Sequence, residues 1–426
     1  MASPRQWRIP AFGAGLQAMM VAVVFTAFAV NIPVAQAQTY QVIHNFTGGA
    51  DGADPQAGLA IDQRGNLYGT ATGGGSGGAG TVFKLAHAGS SWPLTPLYGF
   101  SSGYDGSYPL GPVTIGPDGS LYGTTLAGGS TQGRYCEDGG CGVVFRLRPS
   151  PTPPPAVFTP WQETVLIAFD ATDGNEPVYP QLLFDQTGNL YGTTQFGGGN
   201  IGGNVFELTP SGGSWTETVL YDGFGNGATG DQPLSGVVMD STGNLYGTTS
   251  VGGAGGDGVV YELSPTQYGY VQTILHSFSN GDDGGLPYGG LVMDQGGNLY
   301  GGTVSGGSAG CGVIYELSPS NGGWTFTTIF AFSPPSCAGG PFETLTLDAA
   351  GNLYGTAYGD GANGFGMVFK LSQSNGIWTL TDLHDFSSGT EYFPYGAVTL
   401  GADGNLYGTA SEGGAYGHGV VWEITP

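Results

Sequence analysis

Basic residues are almost missing from this chain. Eight lysines and arginines stand against 32 aspartates and glutamates in 426 residues, a formal net charge of −24. A protein that grips a nucleic-acid backbone needs a basic footprint, so that class is excluded. The same field disfavours anionic membranes and highly charged anions, and leaves cations and neutral molecules open. Helical periodicity is lacking too: beyond the N-terminal segment no stretch sustains it. Glycine is the commonest residue at 84, yet without a G-X-Y period, which excludes collagen. Aromatics at 12% exclude disorder, because a disordered chain has no such apolar mass to bury. Enzyme signatures are also missing: there is no G-x-S-x-G, no H-E-x-x-H and no Cys–His pairing.

The N-terminus reads as a targeting segment. Arg5 and Arg8 form a positive n-region, Met19 to Val30 an apolar run, and Ala35-Gln36-Ala37 a small-x-small cleavage site. The apolar run is short for a membrane span. The expectation is a signal peptide over residues 1–37, with an uncleaved anchor as the alternative, and a mature domain over 38–426. The protein is then exported to the periplasm, the cell surface or the medium, with no membrane contact after cleavage. In an exported chain four cysteines read as disulfides before metal ligands. Cys136 and Cys141 share one loop, while Cys311 begins one strand and Cys337 follows the strand that should pair with it. The expected bridges are Cys136–Cys141 and Cys311–Cys337.

What is present is a repeat. Gly65-Asn66-Leu67-Tyr68-Gly69-Thr70 returns with its tyrosine at Tyr122, Tyr191, Tyr246, Tyr300, Tyr354 and Tyr407. A period of this size marks stacked copies of one supersecondary unit. Each copy holds four strand-like runs, rich in β-branched and aromatic residues and bounded by Gly, Pro, Asn or Ser. Runs one and two are joined by a tight Asp-x-x-Gly-Asn turn, in which Asp bonds forward to the backbone and Gly supplies positive φ. In the second and seventh copies the carboxylate sits two places along, at Asp118 and Asp403, which assigns it to the turn rather than to a ligand. Runs two and three are joined by glycine-rich loops, and runs three and four by Ser-Pro-x-x-Gly-Gly turns, widened in the second copy to Pro149–Pro160. A looser connection leads on to the next copy.

The spacing predicts an all-β fold: a seven-bladed β-propeller of four-stranded antiparallel blades. The mature chain opens on a fourth run, Tyr40 to Phe46, and closes on a third, Gly419 to Ile424. The N-terminal strand should therefore complete the last blade, which leaves no open edge in the ring. Leu67 and Tyr68 should face opposite blade interfaces, with the phenol hydrogen-bonded and Gly69 admitting a neighbouring backbone. The Trp that opens run four should cover the outer blade edge.

The repeated Asp-x-x-Gly-Asn-Leu-Tyr-Gly-Thr-Thr, followed by Gly-Gly and Gly-Val-Val-Phe/Tyr-Glu-Leu, resembles the GloVer tandem repeat of exported bacterial proteins. The resemblance covers nearly the whole mature chain. It implies a repeat protein without an established activity. Members carry varied surface anchors, and this chain shows no recognisable C-terminal one. The Asp-x-x-Gly-Asn-Leu-Tyr core is also similar to NHL-type propeller repeats, at the level of fold.

Function should lie on the face that gathers the run-two/run-three loops and the connections between copies. Aromatics beside carboxylates there could stack on and hydrogen-bond to a sugar. The ligand-binding candidates are Tyr104, Asp105, Tyr108, Asp282, Asp283, Tyr288, Tyr392 and Tyr395. His44, His276 and His384 share one place in run four and read as structural. The expectation is a monomeric, non-catalytic binding or scaffolding module for a carbohydrate or protein, without a cofactor; clustered Asp leaves calcium as the one cofactor to consider. The alternative is a polysaccharide lyase or glycoside hydrolase using two carboxylates in the central funnel. An asymmetric pocket at the ring centre holding two close acids, or an Arg or His with them, would favour the enzyme.

Overall fold

A computed structural model describes residues 38–131, 136, 139–149, 161–333 and 339–426. The signal-peptide segment, Cys337 and most of the Pro149–Pro160 loop lie outside the described residues. Seven four-stranded antiparallel sheets follow one another. Blade 1 comprises Ala60–Ile61, Leu67–Ala71, Thr81–Leu85 and Leu94–Gly99. Blades 2 to 6 repeat that order, and the described residues contain no helix. Blade 7 is Thr399–Leu400, Leu406–Ala410 and Val420–Thr425, closed by Thr39–Asn45 from the other end of the chain. Thr39 lies opposite Thr425 and Asn45 opposite Val420, so the ring is sealed by a borrowed strand.

The core lies between blades. Leu67 packs into the cluster shared with blade 7, and Tyr68 into the cluster shared with blade 2. Each such side chain contributes about 2–3 kcal/mol on burial. The tryptophans behave otherwise than the sequence suggests. Each lies against the central tyrosine of the preceding blade, Trp161 at 6.3 Å from Tyr68 and Trp92 at 5.5 Å from Tyr407 across the ring closure. The group that crowds Gly69 is likewise not backbone. A Cβ there would sit 2.6 Å from Cζ of Phe83, its cross-strand partner, so the glycine makes room for a ring.

The turn acids have a second task. In all seven blades the central phenol donates to the turn aspartate, from Tyr68 to Asp62 (3.1 Å) round to Tyr407 and Asp403 (3.1 Å). In blades 2 and 7 the aspartate moves along the chain yet reaches the same hydroxyl. The vacated position must then be glycine, since a Cβ on Gly116 would lie 2.4 Å from Cε2 of Tyr122.

In every blade the third and fourth strands slip register once. Such a bulge re-aims the side chains around it. The re-aimed residues meet the next blade's outer strand: Tyr221 donates to Gln272 (2.9 Å), His276 stacks on Phe326 (3.8 Å) and His384 on Tyr40 (3.6 Å). His276 and His384 thus serve the blade seams, while His44 meets Asp51 and Phe46 of its own segment. Burial lowers the pKa of all three histidines, that of His384 to about 4.

Candidate functional site

The upper face, where the run-two/run-three loops emerge, is built on a proline that recurs in every blade: Pro55, Pro109, Pro177, Pro233, Pro287, Pro341 and Pro394. In six blades the preceding residue is not glycine and holds a left-handed backbone, with φ between 55° and 61°. These residues are Asp54, Tyr108, Glu176, Gln232, Leu286 and Phe393. Such a conformation costs an L-residue about 1–2 kcal/mol. Backbone hydrogen bonds on both sides hold it. Each N–H donates to a loop carbonyl of the preceding blade, as Asp54 does to His418 (3.0 Å) and Tyr108 to Ala79 (2.9 Å). Each carbonyl accepts from the residue's own blade, as Asp54 does from Thr72 (3.3 Å) and Tyr108 from Leu126 (3.0 Å). The proline ring packs on the glycine before the preceding blade's third strand; a Cβ on Gly419 would lie 2.6 Å from Cδ of Pro55. The backbone repeats, and the side chains it carries do not.

The residues after these prolines ring the axis. Blade 3 departs from the others by one residue: Pro177 stands thirteen positions before Leu190, where Pro55 stands twelve before Leu67. The extra residue brings Tyr179 against Phe342 of blade 6, with ring centroids 5.9 Å apart. Tyr288 (5.0 Å) and Tyr395 (5.2 Å) meet the same phenylalanine edge-on, and Tyr358 stacks on Tyr395 at 4.4 Å. Together they form an aromatic plug. Burial pushes the Tyr179 hydroxyl up to about 12, and it drives that of Tyr395 higher, with help from the Tyr358 hydroxyl.

Next to Phe342 stands Glu343, where the corresponding residues of other blades are small: Ala57, Gly111, Ser235, Gly289 and Gly396. Its Oε1 is buried without a hydrogen-bond partner, and burial raises its carboxyl pKa to about 8. The preceding blade differs to match. Threonines of five blades donate to this backbone position of the next blade, for example Thr248 to Gly289 (3.0 Å), whereas blade 5 has Gly302 in the threonine's place.

A cavity of about 560 Å³ opens where blades 7, 1 and 2 meet, lined chiefly by Asp54, Gln56, Tyr108, Leu110, Tyr395 and Glu412. Two of the left-handed residues, Asp54 and Tyr108, thus converge on one space. No lysine or arginine lines it. The Asp54 carboxyl is held above its ordinary range by burial; His418 opposes that shift and Glu412 adds to it.

Of the eight residues selected from the sequence, Tyr108 and Tyr395 line the cavity and Tyr288 belongs to the plug. The others lie elsewhere. Asp105 accepts from Tyr98 (3.1 Å) and from Ser101 N (2.9 Å), and Asp283 accepts from His276 (3.1 Å) and Ser279 N (3.1 Å). Both carboxylates close turns in the connections. Asp282 accepts from Thr328 through its carbonyl, Tyr104 is exposed, and Tyr392 lies beside Phe393 and Glu412. Sequence reasoning missed Phe342, Tyr179, Glu343 and Glu412. The recurring proline marks the segment that carries the first three, within two residues of it. Cys136 and Cys141 form the expected disulfide, which is compatible with export. Cys311 is also disulfide-bonded, and the partner assigned to it from sequence lies outside the described residues.

The fold has solved counterparts. One is a protein assigned as a 6-phosphogluconolactonase from Bacteroides uniformis ATCC 8492, at 16% identity and a TM-score of 0.52, covering 87% of this chain and 100% of that one. Another, assigned as an oxidoreductase (glucose dehydrogenase) from Thermus thermophilus, shows 14% identity and a TM-score of 0.40 over 91% of this chain and 100% of that one. At 16% identity the first of these shows a shared fold and no more. No curated protein matches the sequence. The Gloeobacter/Verrucomicrobia repeat matches three times, over residues 26–153, 140–296 and 266–426. The chain therefore belongs to the Gloeobacter/Verrucomicrobia repeat family.

Proposed function

We propose that this protein is an exported, non-catalytic binding module that holds a carbohydrate or protein ligand on its upper face. One observation carries the reading: an invariant backbone clamp presents Asp, Tyr, Glu, Gln, Leu and Phe at six equivalent strained positions. Strain kept at equivalent sites while the side chains vary is the mark of a display surface rather than of a core. Glycan-array and pull-down binding of the purified protein tests it. Asparagine tolerates the left-handed conformation, so replacing all six residues with Asn keeps the ring folded and should abolish binding. Arg64→Ala on the opposite face should leave binding unchanged. Binding that survives the six-fold change refutes the reading.

A second reading is favoured by the pocket chemistry that the sequence named as its criterion. Asp54 lies within electrostatic reach of Glu412 and His418, and a carboxyl held above its ordinary range is suited to protonate a leaving oxygen. Release of reducing or unsaturated ends from a polysaccharide panel, lost in Asp54→Asn, would establish hydrolysis or elimination. A panel without turnover rules it out.

A further inference from the structure

We propose that the cavity between blades 7, 1 and 2 binds an amine-bearing saccharide, with Asp54 and Glu412 receiving its ammonium group. The proposal rests on the reading of the upper face as a binding surface and names the ligand class for this recess of it.

Three features select that chemistry. The volume of about 560 Å³ falls in the range of small-ligand sites, roughly 300–1,000 Å³. The walls suit a sugar: Tyr108 and Tyr395 provide flat apolar surface, while Gln56, Thr72 and Ser411 provide hydrogen-bonding groups. The third feature is the state of Asp54.

Carboxylates in the neighbouring connections are already supplied with donors. Asp51, three residues away, accepts from the backbone N–H and the hydroxyl of Thr47 and lies 3.3 Å from His44 Nε2. Asp105 accepts from Tyr98 and from both N–H and hydroxyl of Ser101. Asp283 has the corresponding donors in His276 and Ser279. By contrast, no described group donates a hydrogen bond to the Asp54 carboxylate, although its backbone is bound on both sides. The groups that face it are Glu412, which adds like charge, and the imidazole of His418, which lies over Gly48. With no lysine or arginine in the lining, the recess has excess acceptors and excess negative charge. An ammonium supplies three donors and one positive charge, and the tyrosine faces attract it further. A uronate or a phosphorylated sugar would add charge of the wrong sign.

Titration calorimetry of the purified protein with a glucosamine tetramer, an N-acetylglucosamine tetramer and a galacturonate tetramer tests this. The glucosamine tetramer should bind at least tenfold more tightly than the acetylated one, and the galacturonate tetramer should not bind. Asp54→Asn and Glu412→Gln should each weaken glucosamine binding about tenfold and flatten its salt dependence. Unchanged melting temperatures establish that both variants are folded. Equal affinity for the acetylated tetramer, unaffected by Asp54→Asn, overturns the amine assignment while leaving the binding face intact. Absence of binding by the glucosamine tetramer also overturns it, and the six-fold Asn variant then decides the wider reading separately.

Discussion

Glu217→Gln should stabilise the protein at neutral and alkaline pH and leave it nearly unchanged in acid. Glu217 lies on the outer strand of blade 3, beside Asp173 in the connection from blade 2, and its Oε1 is buried without a partner. Burial first, and then the neighbouring Asp173, raise its carboxyl from 4.5 to about 8. Below pH 4.5 both the folded and unfolded chains hold the proton, and the full stability is present. As pH rises from 4.5 the unfolded chain ionises freely while the folded one does not, so stability falls until the folded group ionises near pH 8. By pH 7 the loss from this one group is about 3 kcal/mol, at about 1.4 kcal/mol per pH unit. Glutamine keeps the shape and cannot ionise, so the variant regains that amount. In a chain of this size the gain corresponds to a rise in melting temperature of roughly 3–5 °C. Melting temperatures of both proteins from pH 4 to 9 provide the measurement. Glu163, Asp382 and Glu343 also titrate upward and remain in both proteins, so only the difference between the curves counts. Parallel curves across that range would refute the reasoning.

Three further outcomes are expected. Tyr40→Ala removes the ring stacked on His384 and should cost about 2–4 kcal/mol in chemical denaturation. In the same variant water reaches the imidazole, so its pKa should climb from about 4 toward 6.5, as followed by NMR titration. Gly116→Ala drives a methyl group into the Tyr122 ring and should destabilise by about 1–3 kcal/mol, whereas Asp118→Asn keeps an acceptor for the phenol and should cost less. Tyr179→Ala opens the plug above the axis and should lose about 2–4 kcal/mol; hydration then lets the Glu343 carboxyl fall from about 8 toward its ordinary value, measurable by carbonyl NMR.

The architecture was legible because it rests on periodic features. Seven Leu-Tyr-Gly cores, turn residues at fixed offsets and complementary half-units at the two ends fix blade number, strand order and closure. What escaped is chemistry between residues that no period links. The migrating aspartates of blades 2 and 7 read from sequence as turn residues, and the sequence does not show that both carboxylates end on the hydroxyl of the central tyrosine. Tyr108, Tyr288 and Tyr395 were selected for being aromatic in a connection, and so was Tyr104, which points to solvent. The difference arises because the first three flank the recurring proline, which sets direction, and Tyr104 does not. Tyr179 reaches the axis through a single inserted residue, and Glu343 is accommodated where blade 5 has lost a threonine. Both are exceptions to the repeat and show only when the copies are superimposed.

The borrowed strand also governs how the ring responds to force. Thr39 and Thr425 occupy the same rung of the closing ladder, so tension applied through whatever is joined to either end meets that rung first. The pairs would separate in sequence, from Thr39–Thr425 toward Asn45–Val420, rather than shear together. Whatever the strength of its core, the ring would then yield at low load, and would yield first at blade 7.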